Sequence, residues 1–348
     1  MDELSAMTAV ELARLIREKR LGIEELTRTY LARIEEYDGP NGLNAVALID
    51  ERALDTARRM DNEKADREGA MCGLPVLIKD NIDVKGLPTT AGSRALTDNI
   101  AKADAPVVAN LRRNGAIILG KTNLTEFANY TTENMPDGYS SRGGQVRNAY
   151  DRDKSPSGSS SGSAVAMSAA LCAAAVGSDT SFSIVGCVTE NGVTGYKPPI
   201  GSLSGRGIVP ISHTLDSAGP ITRDAADALL TYSSMRDRPL PPVKQANPKD
   251  LHIGVNVTNR DKVDQAQLDR YETVLSGLKR DGARIGEVAH PYVPCPFDIM
   301  RYEFRRDLEG YLSGTDARRR TLREIVEYYE ANPKTMPYGI TLLRDALD

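Results

Sequence analysis

One stretch constrains this chain more than any other: residues 154–197, KSPSGSSSGSAVAMSAALCAAAVGSDTSFSIVGCVTENGVTGYK. Serine, glycine and alanine stand there where an ordinary core segment carries large apolar side chains. Residues 157–163 read SGSSSGS, a run that cannot bury apolar surface and leaves many backbone N–H groups free. Residues 163–176 are dominated by alanine, with no glycine or proline, so propensity predicts a helix there, capped by Ser163 and buried because it carries no charge. A second polar loop, 177–183, follows at once. Ser/Gly runs are usually flexible linkers, but a linker is rarely followed by a long alanine-rich segment and a second glycine-serine turn. The pattern reads as two hydroxyl-bearing loops brought to one place by one buried element.

The flanking sequence supplies the layers around it. Residues 74–78 (LPVLI) are apolar on both faces, as expected of a buried strand, and the strand delivers Lys79 and Asp80 at its end. Taken alone, such a lysine reads as a packed stem with a solvated head; beside two serine loops it becomes a candidate base. Helical spacing marks 8–20 (with Thr8 as cap), 24–37, 51–68, 105–114 and 225–235, and short apolar runs mark strands at 44–49 and 116–119. This alternation is that of α/β layers. The polar, glycine-rich 130–153 segment, with Arg142, Gly143, Gly144 and Arg147, is expected as a loop under or beside the serines. Residues 236–247 (RDRPLPPVKQAN) read as a linker. A strand at 251–257, a helix at 265–280 and a strand at 284–288 follow, then charged helices at 301–322 and 322–331. The stretch 340–348 has the look of an unfinished helix.

Length and charge bound the rest. With 348 residues, 40% of them hydrophobic, the chain can build one large domain or two. A net charge of −4, with bases mixed among acids, excludes a nucleic-acid partner. Cys72, Cys172, Cys187 and Cys295 form no CxxC pair and no metal-ligand spacing with the three histidines, so reduced thiols and no metal are expected. The N-terminus lacks the apolar core of a secretory signal, and no apolar run of about 18 residues is present to span a membrane, so a cytoplasmic protein is expected.

Together with 73–93 (GLPVLIKDNIDVKGLPTTAGS), 104–129 (DAPVVANLRRNGAIILGKTNLTEFAN) and 201–223 (GSLSGRGIVPISHTLDSAGPITR), the 154–197 stretch resembles the amidase signature family over most of residues 8–230. The likeness is greatest to the peptide-amidase-like and general amidase branches. The resemblance implies a single α/β/α sandwich around a mixed twisted β-sheet, shortened at the C-terminus. Residues 1–70 would form a helical layer, 71–235 the signature core and 236–348 a C-terminal α/β portion. It implies no cofactor, a small-molecule or peptide amide as substrate, and leaves a homodimer open. A serine hydroxyl needs a base, and none of His213, His252 and His290 sits in a motif for that role; His213 is expected to be structural. A buried lysine can serve, because desolvation lowers its pKa. Carried over residue by residue, Ser183 falls at the family's nucleophile, Ser159 at the serine reached through a cis Gly158–Ser159 peptide, and Lys79 at the base. Lys79 would take a proton from Ser159 and Ser159 one from Ser183. The N–H groups of Thr180, Ser181, Phe182 and Ser183 would hold the oxyanion.

Two positions depart from the family. A glycine usually precedes the nucleophile, where this chain has Phe182 after Ser181, and a proline commonly follows, where it has Gly186-Cys187. If the family's glycine has φ > 0, a phenylalanine there costs about 1–3 kcal/mol. Phe182 is then expected either to enter the acyl site or to push the loop out of oxyanion geometry. Three readings follow: a carboxamide hydrolase, an impaired or non-hydrolytic relative that binds an amide ligand or a partner, and one component of an amidotransferase.

Overall fold

The computed structural model describes residues 3–39, 41–63, 68–241, 246–256, 258, 263–289 and 297–348. In chain order it begins with α1 (Glu3–Ala6), α2 (Ala9–Arg17), α3 (Ile23–Tyr37), β1 (Val46–Ile49), α4 (Ala53–Asn62) and β2 (Pro75–Lys79). There follow α5 (Pro106–Arg113), β3 (Ile117–Thr122), β4 (Tyr139–Ser140), β5 (Gly144–Gln145), α6 (Ser161–Ser168), β6 (Ala174–Asp179), α7 (Val185–Asn191), β7 (Thr194–Gly195), β8 (Ser217–Thr222) and α8 (Ala225–Met235). Thr8 caps α2 through a reciprocal capping box with Glu11, as its position predicts. Six strands form a mixed sheet in the order β1-β3-β2-β6-β8-β7; β2 runs parallel to both β3 and β6, and β8 is antiparallel to β6. The fold is the expected α/β one.

The alanine-rich segment corrects the sequence reading. The helix covers only Ser161–Ser168, and Ala174–Asp179 is a central strand, so 163–176 is not one helix. The break has visible causes. Arg33 takes the carbonyls of Ala170 (2.8 Å) and Ala169 (2.9 Å), and Ala170 adopts φ 54°. Tertiary pairing then overrides alanine's helix propensity: β6 hydrogen-bonds on both edges, so its side chains are selected for smallness. A Cβ on Gly177 would lie 2.8 Å from Ser160 Oγ and 3.0 Å from Ile221 Cδ1. Small residues on β6 are what let the first serine loop approach the sheet. Burial of α6 itself is as expected, with Ser161–Met167 all inaccessible.

The C-terminal helices α10 (Phe297–Ser313), α11 (Leu322–Ala331) and α12 (Thr341–Asp345) pack on a second core containing Phe127, Tyr130, Val209 and Ile211. The helix expected over 301–322 ends at Ser313, and the chain turns there, with Arg318 N donating to Asp98 Oδ2 (3.1 Å). Two compact units are present, Met1–Pro239 with Phe297–Asp348 and, separately, Leu240–Pro296. The smaller one contains two parallel strands, His252–Asn256 and Arg284–Val288, and the helix α9 (Gln265–Arg280). Cys172 and Cys187 are free and buried and Cys72 is buried, while Cys295 lies outside the described residues, as does His290. No helix among the described residues is long and apolar enough to cross a membrane.

Candidate active site

The end of β2 carries Lys79 into the interior, where it is 0% exposed. Its Nζ donates to Ser159 Oγ (2.8 Å), Ser160 Oγ (2.9 Å), Ser178 Oγ (3.0 Å) and Ser178 O (3.2 Å). No carboxylate among the described residues lies within ion-pair distance of it. Burial without a counter-charge pushes its pKa down to about 8. The three hydroxyls are not equivalent. Ser160 donates its proton to Ser178 O (2.9 Å), and Ser178 Oγ also receives Asn81 Nδ2 (2.9 Å). Ser159 Oγ has Lys79 as its sole partner among the described residues.

Ser159 follows a cis peptide from Gly158, and its carbonyl accepts from Thr125 N (3.1 Å). The two serine loops are stitched by Ser160 N donating to Ser183 O (3.2 Å). Ser183 is buried, at 6% exposure, and its hydroxyl makes no hydrogen bond with another described residue. Lys79 and Ser159 are thus in direct contact, whereas Ser183 joins the group through its backbone.

The loop that carries Ser183 is pinned at both ends by residues that sequence reasoning does not single out. Asp179 Oδ2 accepts from the N–H groups of Ile184 (2.6 Å) and Val185 (3.3 Å), and Lys197 Nζ reaches Asp179 Oδ1 (2.8 Å) and Thr180 O (2.9 Å). Thr180 Oγ1 donates to Asp216 Oδ1 (2.5 Å), and burial raises the Asp216 pKa. Held so, the loop presents the N–H groups of Ser181, Phe182 and Ser183 without an acceptor among the described residues. The signal available in sequence was an acid and a base flanking a polar loop, 18 positions apart.

Phe182 does not line this part of the interior. Its φ of 79° keeps a glycine-like backbone, and its ring is 64% exposed. The ring lies over Gly186, where a Cβ would sit 2.2 Å from Cε1 and 2.4 Å from Cδ1. The two departures from the family are therefore one feature: the missing side chain at 186 gives the ring a place outside the site. Asp80, next to Lys79, is engaged elsewhere, by Lys121 Nζ (3.1 Å), Arg142 (3.7 Å) and the Thr90 hydroxyl. This is where the predicted loop arginine Arg142 is found.

A cavity of about 350 Å³ opens beside the cluster, lined by Asn81, Ser178 and Thr180 at one part and by the 200–213 segment at another. Lys79, Ser159, Ser183 and Phe182 are not among its lining residues; Ser178 and Thr180 connect it to them. His213 lines it too, with Nδ1 2.9 Å from Asp307 Oδ2 on α10. Glu303, on the same helix, holds the wall through the hydroxyls of Ser212 and Thr214.

The structure thus places a buried lysine against a cis-peptide serine, with a second serine in the adjoining loop. The chain belongs to the amidase family, which it matches over residues 25–336. It is 34% identical over 353 residues to a glutamyl-tRNA(Gln) amidotransferase subunit of Acidothermus cellulolyticus (91% of this chain, 68% of that one). It is 42% identical over 217 residues to a probable amidase of Arabidopsis thaliana (61% of this chain, 42% of that one). In three dimensions it resembles the peptide amidase of Stenotrophomonas maltophilia, with TM-score 0.91, 34% identity, and 99% of this chain and 76% of that one covered.

Proposed function

We propose that the protein hydrolyses the C–N bond of a carboxamide, in a small molecule or a peptide amide, through an acyl-enzyme on Ser183. The observation that carries this is Lys79: a fully buried amine with no counter-charge among the described residues, a pKa of about 8 and a hydrogen bond to Ser159. In this reading neutral Lys79 accepts the Ser159 proton while Ser159 accepts that of Ser183, and the Ser183 oxygen attacks the amide carbonyl. The carbonyl oxygen gains charge against the N–H groups of the 181–183 loop, each such donor being worth roughly 10²–10³ in turnover. The proton returns through Ser159 to the leaving nitrogen, ammonia or an amine departs, and water repeats the sequence to free the acid and Ser183. Buried free thiols at Cys172 and Cys187 fit a reducing, cytoplasmic setting.

A second reading, delivery of the released ammonia to an acceptor on a partner, is supported by the amidotransferase relatives. Ammonia release from a panel of primary amides and peptide amides tests the first. Turnover by the isolated chain, abolished in Ser183→Ala and Lys79→Met, is expected; release from glutamine alone, and only with a partner added, would favour the second.

A further inference from the structure

We propose that the cavity beside the Lys79 cluster selects an amide whose acyl chain is aliphatic and ends in a carboxylate, with Arg206 recognising that carboxylate. The inference rests on the amide-hydrolysis reading and names the substrate class for it.

Three lining residues carry or can carry charge: Arg206, His213 and Asp216. Asp216 is answered by donors within the wall, Thr180 Oγ1 on Oδ1 (2.5 Å) and the N–H groups of Ile211 (2.9 Å) and Ser212 (3.1 Å) on Oδ2. His213 is held by Asp307 and by Arg306 Nη2, each 2.9 Å from its Nδ1. The guanidinium of Arg206 makes no hydrogen bond or ion pair with any described residue. Among the described lining residues its charge is the one without a partner, and Arg206 also borders a second cavity that holds Asp83 and Asp104.

The backbone beneath it is fixed. Gly207 O accepts from Asp83 N (2.8 Å), Ile208 bridges Ile82 and is buried, and Arg206 N donates to Ser204 Oγ (3.3 Å). The nearby acid Asp83 is turned to another partner, receiving the Tyr311 hydroxyl at 2.7 Å. A free guanidinium on an anchored stem is suited to paired hydrogen bonding of a carboxylate.

The remaining lining fits the rest of such a molecule. Leu203, Ile208 and Val209 offer apolar contact to an aliphatic chain. At the part of the cavity nearest the lysine, Asn81 Oδ1 is buried and accepts from no described donor, while Nδ2 is used by Ser178 Oγ and Val209 O. An unused acceptor there matches the N–H of a carboxamide. The complementary ligand is a primary monoamide of an aliphatic dicarboxylic acid.

The test compares monoamides of four- to eight-carbon dicarboxylic acids with neutral alkanamides of equal chain length. Binding to the full chain carrying Ser183→Ala is measured by calorimetry, and turnover by native protein in parallel. At the best-fitting length the acid amide is expected to bind more tightly than its neutral partner. Because Arg206 is exposed, Arg206→Ala should lower the acid-to-neutral ratio about fivefold, with Arg206→Lys between and Arg206→Glu lower still. No preference at any length, or a ratio that Arg206→Ala leaves unchanged, overturns the proposal. Preferential binding without turnover of any amide by native protein would instead count against the hydrolysis reading and leave the Arg206 assignment standing.

Discussion

Adding one methyl group at Gly186 should stabilise one background and not the other. In the native chain the new Cβ would fall 2.2–2.4 Å from two ring carbons of Phe182, far inside an ordinary contact near 4 Å. Since the ring is 64% exposed it can swing, but it loses its seat and a preferred rotamer, a cost of about 1–2 kcal/mol. Against this, Gly186 lies in the first turn of α7, where alanine is favoured over glycine by up to about 1 kcal/mol. Gly186→Ala is therefore expected to be neutral or destabilising by about 1 kcal/mol alone. In a Phe182→Gly background the ring is gone and the same change should stabilise by a few tenths to about 1 kcal/mol. Urea unfolding of the four proteins of the cycle measures this, and equal effects in both backgrounds would refute the coupling. Turnover of the same proteins carries a second consequence: because Phe182 is 64% exposed and its ring lies against Gly186, Phe182→Gly should change kcat by less than about threefold. A gain near the roughly 10² expected of one restored oxyanion donor would show that the ring does obstruct the loop.

Burial that lowers Lys79 to about 8 makes the neutral amine the working form, so kcat/KM is expected to rise with pH and level off above about 8; a profile flat from pH 6 to 9 argues against a lysine base. Lys79→Met should cost about 10²–10⁴ in kcat while the protein stays folded by circular dichroism. Glu126 is buried beneath the Tyr329 hydroxyl and accepts from Ser141 N (2.6 Å), and burial raises its pKa to about 7 from 4.5. The native state then holds a proton the unfolded chain releases, so this stabilisation is complete below pH 4.5 and lost as pH rises through about 7. At about 1.4 kcal/mol for each pH unit its upper limit is about 3 kcal/mol. Glu126→Gln should flatten that part of the stability curve, and an unchanged slope in urea melts at pH 4.5–7.5 would refute it.

What could be read in the sequence follows from where each residue finds its partners. The strand ending in Lys79 was legible because an unbroken apolar run can only be buried, and α3 and α9 because amphipathic spacing is local. The strand Ala174–Asp179 was not, since alanine signals a helix when its real task is to let Ser160 sit close above Gly177. Ser159, Ser183 and the cis peptide came from family likeness, but the hydrogen bonds that sort the hydroxyls around Lys79, through Ser160, Ser178 and Asn81, depend on three separate segments meeting. The same holds for Asp179, Lys197 and Asp216 around the 180–185 loop. The position of Phe182 turned on a residue four places later whose only contribution is the absence of a side chain.

The central claim is that Ser183 is an activated nucleophile, and covalent labelling tests it most directly. Native protein treated with a serine-directed fluorophosphonate and mapped by mass spectrometry should carry the adduct on Ser183. Labelling should be lost in Ser183→Ala and slowed in Lys79→Met and Ser159→Ala. Folded native protein that takes no label, or takes it on a different serine, would contradict the account.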